Sequence, residues 1–246
     1  YTYTDPSTGC VNVDDITATV VEPSEANAGL DLEVCIDTNM IILTGSNSPN
    51  NGLSGTGLWS GNGITVGGQY MVNTVGVYTF TYSYGTGTCL TTDDVDLTVH
   101  DLPVVDAGSD VSFCIDAGLQ TLIGNPLGGV WSGAGVSVGG IFDPSSVVVG
   151  MHTLTYRYTD GNSCENSDTR EVTVNRLPVV DAGSDITECN QSIPVTLSGS
   201  PNGGLWSGNY VSSGGVFTPN GLGPFILTYT YTDPSTGCVN VDDITA

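Results

Sequence analysis

YTYTDPSTGCVNVDDITA occupies residues 1–18, and the same eighteen letters return at 229–246. Identity over that length means duplication, so the sequence has a period of 228 residues. The stretch reads as a hairpin: apolar and polar residues alternate on both sides of a DPSTG turn. We expect residues 1–18 to be the last hairpin of a preceding repeat, and 229–246 to complete the final one. On this reading the chain is a window from a longer repetitive protein, and its ends are not natural termini.

A finer period lies inside the long one. Trp59, Trp131 and Trp206 each begin a WSG tripeptide, at spacings of 72 and 75 residues. Around them the same blocks recur. An acidic turn comes first: NAGLDLEVC (27–35), DAGSDVSFC (106–114) and DAGSDITEC (181–189). A strand (MIILTGS, LQTLIGN, IPVTLSGS) leads to the Gly-rich approach GTGLWSGNG, LGGVWSGAG or NGGLWSGNY. A GG turn, an aromatic strand, an alternating strand (YTFTYSYG, HTLTYRYTD, FILTYTYTD) and a final strand after a Cys complete each unit. The predicted organisation is a hairpin at 1–20 and three domains at 21–100, 101–175 and 176–246.

The alternation fits half-buried antiparallel strands; in HTLTYRYTD, Leu154, Tyr156 and Tyr158 share one face. About seven short strands with frequent turns predict an all-β fold of tandem immunoglobulin-like sandwiches arranged as a rod. Trp59, Trp131 and Trp206 are the expected core anchors, and sugar stacking is the alternative use of such a residue. The linkers HDLPVVDAG (100–108) and NRLPVVDAG (175–183) carry a proline that restricts φ, so they are expected to be semi-rigid.

Composition narrows the function. The chain has 34 Gly and 12 Pro, and a formal charge of −23, from 26 acidic residues against Arg157, Arg170 and Arg176. Such a surface lacks the cations that displace counterions from nucleic acid, and it opposes docking on anionic membranes. No stretch is long and apolar enough to span a bilayer. Trypsin-like proteases find few sites.

Seven Cys recur in two positions per unit. Cys35, Cys114 and Cys189 follow the acidic turn; Cys89, Cys164 and Cys238 open the last strand. Cys10 is left over, its partner expected upstream. We expect Cys35–Cys89, Cys114–Cys164 and Cys189–Cys238, with buried free thiols as the alternative. Metal-ligand Cys spacings do not occur. Disulfides place the chain in an oxidising, extracellular setting.

Catalytic patterns are missing. His100 and His152 lie in different units, no nucleophile–base set recurs, and the glycines do not open a phosphate-binding helix. An enzyme is not expected. The acidic turns are the only candidate sites: Asp31, Asp106, Asp110, Asp181 and Asp185 near the linkers as ligands for Ca2+, with Asp14, Asp93, Asp168 and Asp242 recurring four residues after the late Cys. The alternative is that these carboxylates cap turns through backbone hydrogen bonds.

DAGSD, a strand ending in LSGS, a Trp and LTYTYTD before a terminal strand together resemble PKD-type immunoglobulin-like domains. The likeness runs through every unit. The paired Cys, the WSG motif and the TDGNSC and TDPSTGC turns resemble repeats of giant surface adhesins of gliding bacteria, the SprB-like class exported by type IX secretion. That resemblance implies the stalk of a cell-surface adhesin filament for adhesion or gliding. Its partners would be further copies of the repeat and a surface polysaccharide or other substratum. Spacer or polysaccharide-binding modules of a secreted hydrolase, or a self-assembling sheath, are the rival readings.

Overall fold

The computed structural model describes residues 1–48, 57–190 and 193–246. Residues 55 and 56 of the GTGLWSGNG block lie outside this range. The chain divides into two compact units, one of residues 1–102 with 161–164, the other of 103–160 with 165–246. Regular structure is almost wholly β, with three short 3-10 turns among the described residues.

The main sheet of the first repeat runs, in spatial order, Leu32–Cys35, Thr91–His100, Gly76–Tyr84, Leu58–Gly61. The second repeats that order with Val111–Cys114, Glu165–Asn175, Gly150–Thr159 and Val130–Ser132. The third shows Leu205–Gly208, Ile226–Thr232 and Val239–Thr245. Its opening segment is held beside the last strand by the Ile186 amide donating to the Thr245 carbonyl at 2.9 Å. Most pairs are antiparallel, but the opening strand lies parallel to the last one, Leu32 opposite Leu97 and Cys35 opposite His100. The second repeat matches, with Val111 opposite Val172 and Cys114 opposite Asn175. A hydrophobic alternation is the same for either strand direction, so the sequence pattern does not signal this parallel edge.

Shorter pairs form the other layer. They include Met40–Ile42 with Gln69–Met71, Gln120–Thr121 with Ile141–Phe142, and Val195–Thr196 with Val216–Phe217. Three hydrophobic clusters lie between the layers. In the second, Phe142 from the short pair and Leu122, just after the Gln120–Thr121 strand of that pair, meet Trp131, Leu154, Tyr156, Val172 and Val174 from the main sheet. Period-two alternation explains this choice: Leu154 and Tyr156 are buried, whereas Thr155 and Arg157 point outward. Two sheets enclosing a buried Trp make an immunoglobulin-like sandwich.

The tryptophans form the same local structure three times. Trp59 packs on Tyr82, Trp131 on Tyr156 and Trp206 on Tyr229, with ring centroids 5.1, 5.0 and 5.1 Å apart and similar tilts. Their burial removes the sugar-stacking surface considered for these residues. The tyrosine hydroxyls are also engaged. Tyr229 donates to the Pro201 carbonyl at 2.6 Å and accepts from the Gly204 amide at 2.8 Å; Tyr156 does the same with Pro126 and Gly129. Glycine is required where the chain crosses the ring face. A Cβ on Gly124 or Gly199 would sit 2.3 or 2.4 Å from a Tyr156 or Tyr229 ring carbon, well inside contact distance.

Candidate functional site

The cysteines define the site, and their pairing differs from the sequence-based expectation. Cys35 bonds Cys164, and Cys114 bonds Cys238. Each early cysteine therefore joins the late cysteine of the following repeat. Cys89 and Cys189, expected in bonds of their own repeats, carry free thiols, as does Cys10.

The parallel edge supplies the physical reason. Cys35 lies opposite His100, at the end of the last strand, whereas Cys89 precedes the start of that strand at Thr91. Nine strand steps at the usual rise put about 30 Å between these ends, while a disulfide needs Cα atoms within about 7 Å. Cys114 and Cys164 stand at opposite ends of Glu165–Asn175 in the same way. Bonding within a repeat is thus excluded by geometry. Bonding onward places the turn 161–164 with the first unit, and Cys164 and Cys238 are completely buried. The two bonds span 129 and 124 residues. In the chain-entropy account each stabilises its loop by about 5 kcal/mol.

The acidic residues serve the parallel edge. The Ala amide of each acidic turn donates to a carboxylate on the last strand: Ala28 to Asp93, Ala107 to Asp168 and Ala182 to Asp242, at 2.8–2.9 Å. In return Asp31, Asp110 and Asp185 accept from the last-strand amides of Asp96, Glu171 and Thr245, at 2.9, 2.9 and 2.7 Å. Asp106 and Asp181 accept from Gly108 and Gly183, closing their own turns. The backbone amide of Ala107 holds the Asp168 carboxyl below the ordinary range, because it favours the charged form. These side chains thereby act as backbone acceptors where the short opening strand cannot. Among the described residues no group of three or more His, Cys, Asp or Glu is placed to hold a metal ion.

The linkers are bound into the following repeat. The Pro103 carbonyl accepts from Asn166 and that of Pro178 from Asn240, both at 2.9 Å, while Val105 and Val180 pack on the adjoining cores. Of the histidines, His100 meets Glu33 at 3.1 Å and His152 lies 2.8 Å from the Val148 carbonyl. They lie in separate sheets. The cysteine positions alone do not select this pairing: bonding within repeats leaves Cys10 over, whereas bonding onward leaves Cys10, Cys89 and Cys189. Choosing between the two requires the strand direction.

No protein-family model matches this chain, and no curated protein matches it. Among solved structures it is similar to the PKD domain of human KIAA0319, at 16% identity over 37% of this chain and 92% of that one, with a TM-score of 0.30. It is also similar to a three-immunoglobulin-domain segment of titin, at 9% identity over 92% and 98% of the two chains, with a TM-score of 0.39. The insect immune protein hemolin aligns at 14% identity over 71% of this chain and 55% of its own, with a TM-score of 0.34.

Proposed function

We propose that this chain is a load-bearing segment in the stalk of a large extracellular adhesin filament, serving surface adhesion or gliding. The observation that carries the reading is the onward disulfide. Each bond joins one repeat to the next, so a break or unfolding event in a linker does not separate the parts. An enzyme gains little from such a device, whereas a tether under tension depends on it. Tandem β-sandwiches, a near absence of trypsin sites and the return of residues 1–18 at 229–246 support the same reading. The disulfides fit an oxidising exterior.

The mechanical part follows from the bond map. With both disulfides closed, the shortest covalent route from end to end crosses roughly 95 residues, which limits extension to about 330 Å at the usual reach per residue. Reduction releases all 246 residues, about 860 Å by the same measure. Single-molecule pulling with and without reductant reads this difference directly. For the biological part, cells of the producer are imaged live with an antibody against this segment. Surface filaments establish the stalk; signal shed into the medium together with hydrolase activity overturns it in favour of spacer modules.

A further inference from the structure

We infer that Cys189 and Cys89 are the two halves of a third onward disulfide, closed between successive copies of the 228-residue unit. The partner is a second copy of this chain, and the bond runs head to tail.

Three observations lead there. The first is the rule seen twice within the chain, that an early cysteine bonds the late cysteine one repeat on. The second is the residue left over at each place. Cys189 is the early cysteine of the third repeat and is exposed; Cys89 is the late cysteine of the first repeat and is half-buried. The bonded late cysteines, Cys164 and Cys238, are wholly buried, so Cys89 lacks the cover its equivalents receive. The third is the duplication. Residues 229–246 repeat 1–18, and 1–18 are followed by the first repeat. The period therefore sets a first-type repeat after a third-type one, and the late cysteine of a first-type repeat is Cys89. Cys10 is excluded by the same logic. It is the copy of Cys238, whose partner is Cys114, so its half-site belongs to a second-type repeat.

The chemistry needs a small-molecule disulfide as oxidant. The Cys189 thiolate attacks oxidised glutathione, forming a mixed disulfide and releasing one glutathione thiolate. The Cys89 thiolate of the other copy then attacks the Cys189 sulfur, and a second glutathione thiolate leaves. Two cysteine thiols are oxidised, one glutathione disulfide is reduced, and the two thiol protons pass to the glutathione products.

The inference holds for any tandem array and does not depend on adhesion, so its failure and that of the adhesin reading are separable. The test mixes unlabelled and 15N-labelled chain at high concentration in a glutathione redox buffer. Products are resolved without reductant and the cross-linked peptides sequenced by mass spectrometry. The expected result is a ladder of multimers in which mixed-isotope Cys189–Cys89 peptides exceed every other pairing by about tenfold or more. Cys89→Ser and Cys189→Ser each abolish the ladder, and Cys10→Ser leaves it intact. None of the three touches an existing disulfide, so loss of fold is not a confounding cause. A statistical mixture of pairings, Cys189–Cys189 dimers, a Cys89–Cys189 bond inside one chain, or thiols that stay reduced or capped with glutathione overturns the inference.

Discussion

Residues 1–18 and 229–246 have one sequence in two settings, since the rest of the repeat lies beside 229–246 in this chain and not beside 1–18. Both form the same hairpin in the same register: Thr2 faces Val13 as Thr230 faces Val241, and Thr4 faces Val11 as Thr232 faces Val239. The turns agree bond for bond, with Asp5 and Cys10 reproduced by Asp233 and Cys238. Burial does not agree. Ile16 is 92% exposed and Ile244 3%; Tyr1 is 88% exposed and Tyr229 3%. Cys10 is free while Cys238 is bonded and buried. The hairpin is thus locally encoded, and everything that makes it part of a core comes from the sheet beside it.

Paired substitutions sharpen this contrast, the largest effect first. Cys238→Ser removes the closure of a 124-residue loop and is expected to cost about 5 kcal/mol, whereas Cys10→Ser leaves stability unchanged. Thermal unfolding under non-reducing conditions measures both; equal effects would break the comparison. The same bond makes a separate prediction. Trypsin cutting after the exposed Arg176 yields fragments that travel together until dithiothreitol is added.

Ile244→Ala opens a cavity in the third core and should cost roughly 2–5 kcal/mol. Ile16→Ala stays within about 0.5 kcal/mol, as surface changes do. Urea titration of the two variants gives the values. Next comes Tyr229→Phe, which removes the hydroxyl that bridges Pro201 and Gly204. A loss of about 1 kcal/mol, at the lower end of the cost of an unmade buried bond, is expected because the half-buried Gly204 amide is left without its acceptor. Tyr1→Phe should be silent.

The smallest effect should be shared by both copies. The Ser7 hydroxyl and amide lower the pKa of Asp5, and Ser235 does the same for Asp233. A lowered folded value means that the turn is stabilised above the ordinary aspartate range. That contribution is lost as pH falls through the lowered value. NMR titration of the two carboxyls should show both displaced downward; displacement of only one would mean that the core, and not the turn, sets the shift.

Much of this was legible along the chain. The alternating strands and the DPSTG turn depend on residues close in sequence, and each forms the local structure its pattern predicts; the WSG tripeptides mark the repeat by simple recurrence. The glycines around Trp131 and Tyr156 were readable as turns but not as slots for an aromatic ring, because ring contact joins residues about 30 apart. The carboxylates at Asp110 and Asp168 were visible as a recurring motif. Their use became clear only when the opening and last strands came together. The disulfides were misassigned for the same reason. Spacing in sequence favoured Cys114–Cys164, yet the parallel edge sets those residues at opposite ends of one strand.

The sequence by itself therefore determined the repeat, the strands, the turns and which faces are apolar, since these depend on periodicity and on short-range hydrogen bonding. The tertiary structure alone decided strand direction at the sheet edge, and with it the cysteine pairing. A bond that must close to within a few ångströms answers to where chain ends lie in space, and distance along the chain does not report that.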